Sequence, residues 1–118
     1  MVKVVIGDRM GKGQNIAKGI EAEGAEVIVI PGMAADMKLG DTMYRENADL
    51  GLSFCGSGGA GALMAANKYK YTERHSMRSV QEGITAINDG IKVLGFGFMD
   101  TEELGRELTK AYKKKYGA

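Results

Sequence analysis

The run Ser53-Phe54-Cys55-Gly56-Ser57-Gly58-Gly59-Ala60-Gly61-Ala62 constrains the fold of this chain more than any other stretch. Asp49 to Cys55 is apolar enough for a buried strand, and Ala60 to Tyr69, rich in alanine, leucine and methionine, favours a helix. A strand handed to a helix through small residues lets backbone N–H groups converge at the helix N-terminus, and such a nest holds anions, phosphate above all. The turn is neither a Walker A loop nor a dinucleotide fingerprint, because it lacks the Gly-Lys-Ser/Thr ending and does not follow the first strand. The same glycines would also serve close helix–strand packing, and a free cysteine in a core is usually inert. Both roles stay open for Cys55 on these grounds.

The strand–helix alternation extends along the whole chain. Val2 to Ile6 reads as a strand that stops at Gly7-Asp8, and Lys12 to Glu23 places Ile16, Ala17 and Ile20 on one helical face before Gly24 closes it. Ala25 to Ile30 is a second buried strand, ended by Pro31. The pattern weakens from Met33 to Asn47, which predicts a loop with a short helix near Asp41 to Asn47. Lys70 to Arg78 reads as a loop or short strand, Ser79 to Asp89 as a helix, and Ile91 to Phe96 as a last strand. Thr101 to Tyr116 is an amphipathic helix capped by Asp100 or Thr101. The expected fold is α/β: one domain over 1–118, a three-layer αβα sandwich around a Rossmann-like, mostly parallel sheet of about four to five strands.

Composition narrows the function. Lys+Arg 16 against Asp+Glu 15 leaves no field to gather nucleic acid or an acidic membrane, so recognition must come from a local site. No apolar run approaches the ~18 residues that insertion in a bilayer needs, and the first residues enter a strand pattern rather than a signal peptide. The single cysteine excludes an internal disulfide and a cysteine-rich zinc site, and suits the reducing cytoplasm. Neither a metal nor a cofactor is expected.

Ser53-Phe54-Cys55-Gly56-Ser57 in its glycine-rich setting resembles the small glycine-rich SFCGS family. A more distant resemblance, in order along nearly the whole chain, is to the ribose-5-phosphate isomerase B and galactose-6-phosphate isomerase family. That family has a Cys-Gly-Thr-Gly turn followed by Ala-Ala-Asn-Lys. Cys55-Gly56-Ser57-Gly58 and Ala65-Ala66-Asn67-Lys68 are similar, with one extra residue between the blocks. Ile87-Asn88-Asp89 and the strand Val93 to Gly97 resemble its His-Asn-Asp and apolar-glycine strand, and Gly7-Asp8-Arg9-Met10-Gly11 its Ser-Asp-His-Ala-Gly. The resemblance implies an αβα sandwich working as a homodimer or higher homo-oligomer on a phosphorylated sugar. It implies Cys55 as the base that moves a proton between sugar carbons, with the Ser57 hydroxyl beside it. It further implies a substrate site of Asp8, Arg9, Gly56, Gly58, Gly59, Ala60 and Asn88. Two positions depart from the pattern: Ile87 stands where the family has a ring-opening histidine and cannot transfer protons, and Arg9 replaces a second histidine.

Two other classes fit the same residues: a phosphocysteine-carrying component of a sugar phosphotransferase system, and a non-catalytic partner that assembles through its methionines. His75, the only histidine, lies in a polar stretch and reads as a surface or hydrogen-bonded residue. Arg74 and Arg78 are solvated or reach an anion from a neighbouring loop or subunit. Lys113-Lys114-Lys115 opposes the dipole of the last helix.

Overall fold

Strands buried on both faces need nearly continuous apolar runs, and three segments of this chain supply them. In the computed structural model, which describes residues 1–118, β1 (Lys3–Asp8) is buried beyond Lys3, and β3 (Leu50–Phe54) and β5 (Val93–Phe96) are buried throughout. They form the centre of a five-stranded sheet of order β2-β1-β3-β5-β4, with every pair parallel. The edges are β2 (Glu26–Val29) and β4 (Glu73–Met77), which are less buried than the three central strands. Helices α1 (Gln14–Ala22), α4 (Val80–Asn88) and α5 (Glu102–Tyr116) cover one face. A 3-10 turn (Ala35–Lys38), α2 (Leu39–Glu46) and α3 (Ala60–Tyr69) cover the other. This is the αβα sandwich the sequence predicts. No helix is long and apolar enough to cross a membrane.

The local departures have physical reasons. Helix α1 begins at Gln14 rather than Lys12, because Gly13 sits at φ 123°, outside helical space. The helix expected at Asp41 begins at Leu39 and is preceded by the 3-10 turn, whose buried Ala35 and Asp36 give too short an apolar signal to register in the sequence. Lys70 to Arg78 contains a true strand. His75 and Ser76 are exposed there, which removes the alternation, and a bulge with Ser76 at φ 62° shifts the register between Arg74 and Met77. Ser79 and Thr101 cap α4 and α5 by accepting the N–H groups of Glu82 at 3.1 Å and Leu104 at 3.2 Å.

The two faces of the sheet differ in kind. Toward α1, α4 and α5, large side chains such as Ile6, Leu52, Phe54 and Phe96 form the main core, with Phe54 and Phe96 stacked at 5.4 Å. On the opposite face, Gly7, Ser53 and Gly95 are cross-strand partners in one row. Nothing bulky stands on that row, so the 3-10 turn and the start of α3 settle directly on the sheet. A Cβ at Gly7 would lie 3.0 Å from Asp36 Cα, and one at Gly61 would meet the Asp36 carbonyl oxygen and Ser53 Oγ. The chain also leaves β1 and β3 in opposite directions, which opens a crevice beyond their carboxyl ends.

Candidate functional site

Cys55 follows β3 directly and is anchored at the carboxyl edge of the sheet, donating its N–H to the Phe96 carbonyl at 3.2 Å. Its thiol is almost wholly buried, yet polar groups surround it. The N–H groups of Gly59 and Ala60 each donate to Sγ at 3.2 Å, and the Ser57 hydroxyl lies 3.0 Å away. Gly59 turns its N–H inward at φ 104°, a conformation that side chains with a Cβ rarely adopt. Gly58 donates instead to the Cys55 carbonyl at 3.0 Å. The amides that the sequence offers to an external anion thus converge on the protein's own sulfur.

That arrangement sets the acidity of the thiol. Burial pushes Cys55 up, but the hydrogen bond from Ser57 and those from the backbone of Ala60, Gly59 and Ser57 outweigh it, and the thiol ends below its ordinary value of 9.0. The N-terminus of α3 points at the same atom and favours negative charge there. A stabilised thiolate can act as a base or a nucleophile.

On the β1 side, Asp8 is buried and its carboxylate accepts the N–H of Met10 at 2.7 Å, shaping the turn after the strand. Arg9 donates its backbone N–H to the Phe54 carbonyl at 2.8 Å, which sets it beside Cys55. Its side chain forks onto the buried Asp36 carboxylate through Nε, at 3.0 and 3.2 Å, and Nη2, at 3.0 Å. The hydrogen bond to Asp36, then its charge and that of Cys55, hold the guanidinium firmly protonated.

On the other flank, a cleft of about 570 Å³ opens beyond the ends of β3, β4 and β5. It is lined by Gly56, Ser57 and Gly58 of the turn together with Ser76, Arg78, Phe98 and Met99. Cys55 lies behind Ser57 and is joined to Ser57, Gly59 and Ala60 by hydrogen bonds to its sulfur, with Asp8 and Arg9 on the β1 flank. Ser76 and Phe98 enter through a bulge and a loop, for which the sequence carries no signal; Arg78 is the arginine of the pair with access to the cleft. Arg74 pairs with Asp89 at 3.0 Å, and His75 pairs with Glu73 at 3.0 Å on the surface of β4.

Within one chain, Asn88 lies apart from the constellation around Cys55. It is exposed at the C-terminus of α4, beside the Arg74–Asp89 pair and before β5 starts at Val93, the partner of Gly51. Gly51 to Cys55 spans four residues of extended chain, about 13 Å at ~3.3 Å per residue, so Asn88 lies at the opposite edge of the sheet. Its neighbour Ile87 is a fully buried core residue.

The open parallel αβα sandwich has the fold of the type B ribose-5-phosphate isomerases. The enzyme of Trypanosoma brucei superposes with a TM-score of 0.71 at 20% identity, over 95% of this chain and 85% of that one. That of Giardia lamblia gives 0.69 at 17%, over 94% and 93%. The Mycoplasma genitalium enzyme, solved with bound ribulose-5-phosphate, gives 0.69 at 15%, over 96% and 84%. By sequence, no curated protein matches. The chain belongs to the glycine-rich SFCGS family, which it matches over residues 2–115.

Proposed function

We propose that this protein binds a phosphorylated sugar, or a related phosphorylated metabolite, in the carboxyl-edge cleft and interconverts its aldose and ketose forms with Cys55 as the base. The observation that carries this reading is the buried thiol held by Ser57, Gly59 and Ala60 and lowered in pKa. The fold shared with isomerases, one of them solved with ribulose-5-phosphate, supports the choice of ligand class.

In the proposed step the thiolate removes the proton from the carbon next to the carbonyl. The C–H electron pair becomes the new C=C bond, and the carbonyl pair moves onto oxygen to give an enediolate. Cys55 then returns the proton to the former carbonyl carbon, while the proton of the neighbouring hydroxyl passes to the other oxygen. Ser57, bonded to the sulfur, keeps the thiolate oriented, and Arg78 across the cleft binds the phosphate as a bidentate donor. Asn88 belongs to such a site only through a second copy of the chain, so the reading includes a homo-oligomer, which sedimentation measures directly.

The test is deuterium exchange. Aldose and ketose phosphates incubated with the protein in D2O take up deuterium beside the carbonyl, followed by NMR. Cys55→Ala lowers the exchange rate by about 10²–10⁴-fold, the usual worth of a positioned base. An unchanged rate in that variant, or no exchange with any sugar phosphate, refutes the reading. Thermal shift with the same ligands reports binding separately, since stabilisation grows as RT ln(1 + [L]/Kd).

A further inference from the structure

A base that removes a proton beside a carbonyl needs a partner at the oxygen where the charge lands. The loop amides best placed for that task are already engaged, Gly59 and Ala60 on Cys55 Sγ and Gly58 on the Cys55 carbonyl. The cation beside the thiol on the β1 flank is Arg9.

Its backbone is fixed on both sides, N–H to the Phe54 carbonyl at 2.8 Å and carbonyl to the Ala34 N–H at 2.7 Å. Its guanidinium has a closed back and an open front. Nε and Nη2 are taken by Asp36, Nη1 has no partner in the protein, and the side chain is 43% exposed against 0% for Asp36. The Asp36 carboxylate bonds only to Arg9, and a buried carboxylate needs such a cation. Its backbone cannot drift, because it lies against Gly7 of β1 and Gly61 of α3, where even a methyl group would collide.

We propose that Asp36 is a positioning residue that aims the free Nη1 edge of Arg9 at the ligand oxygen beside Cys55, making Arg9 the group that takes up negative charge when the proton leaves. The assignment rests on the reading of Cys55 as the base. It defines the ligand as one with a carbonyl or oxyanion adjacent to the reacting carbon.

The pair is tested without any sugar by alkylating Cys55 in the intact protein with iodoacetate, an anion, and iodoacetamide, its neutral counterpart. A guanidinium aimed at the approach path raises the iodoacetate-to-iodoacetamide rate ratio above that of a free thiol, and Arg9→Gln lowers it about tenfold. Asp36→Asn also lowers it, although that change removes a negative charge. A ratio that rises in Asp36→Asn means that Asp36 acts by charge alone, and overturns the positioning role. Arg9→Lys keeps the charge but loses the fork, so it too lowers the ratio; an unchanged ratio overturns the proposal even if Asp36→Asn does not fold. No reaction of Cys55 with either reagent also overturns it, since no oxyanion could then approach. Because alkylation reads Arg9 and Asp36 independently of turnover, its failure is distinct from an absence of deuterium exchange.

Discussion

The two faces of the sheet solve different problems with the same strands. Residues Leu50, Leu52 and Phe54 point toward α1, α4 and α5 and fill that layer with large apolar side chains. Their neighbours Gly51, Ser53 and Cys55 point the other way, where a smaller apolar cluster packs and, along the row of Gly7, Ser53 and Gly95, backbone of the cover comes directly against the sheet. Stability on the first face comes from volume; on the second, removal of volume brings the amides of α3 within hydrogen-bonding distance of a thiol. Placing the hydrogen-bonded thiol on the thin face leaves the thick face free to hold the fold.

Substitutions on the two faces should therefore fail differently. Phe96→Ala removes a fully buried ring stacked on Phe54 and should cost about 3–5 kcal/mol in urea unfolding, while leaving the pH titration of the Cys55 thiol in place. A displaced thiol titration in that variant would mean that the thick face also tunes the site. Gly61→Ala adds only a methyl group, but against the Asp36 carbonyl oxygen, and should cost about 1–3 kcal/mol through overpacking. It should also displace the thiol titration, because α3 must lift from the sheet. Gly97→Ala is the matched control: nothing lies within 4 Å of the added atom, so stability should change by less than about 0.5 kcal/mol.

A smaller effect separates the helix cap from the cleft it borders. Ser79 accepts the Glu82 N–H at 3.1 Å, and the Glu82 carboxylate accepts the Arg78 N–H at 2.6 Å, so the cap also fixes the backbone of the cleft arginine. Ser79→Ala should cost about 1 kcal/mol by thermal denaturation and weaken sugar-phosphate binding measured by thermal shift. Lost stability with unchanged ligand affinity would show that the cap serves α4 alone.

The thick face was the easier one to read from the sequence. Its strands are continuous apolar runs and its helices repeat at Ile16 and Ile20 or Leu104 and Leu108, so the periodicity carries the fold. The thin face is built from absent side chains, and a glycine in a sequence does not say which atom it admits. The run Cys55 to Ala60 marked the place, but its amides could serve an external anion or a neighbouring atom, and only the φ of Gly59 decides between them. Asp36 was invisible for a related reason: a lone acidic residue in a weakly periodic stretch looks like a surface residue until its carboxylate is found buried against Arg9. Asn88 marks a different limit, because order along the chain does not say which edge of a parallel sheet a helix terminus reaches.

The subtlest contrast between the faces lies in how stability depends on pH. The folded protein holds the Cys55 thiol below its ordinary value of 9.0, so between the folded value and about 9.0 the unfolded chain binds more protons than the native one. Native-state stabilisation from the thiolate is therefore complete above that window and is lost as pH falls through the folded value. Urea midpoints of wild type and Cys55→Ala, compared from about pH 6 to about pH 10, isolate this contribution because the other titrating groups cancel. The advantage of wild type should widen as pH rises and then level off. Ser57→Ala should shrink that widening without abolishing it, since the amides of Gly59 and Ala60 still donate to sulfur. A gap that narrows with rising pH would mean that burial prevails over the donors, leaving Cys55 a packing residue and the thin face nothing more than a close-packed layer.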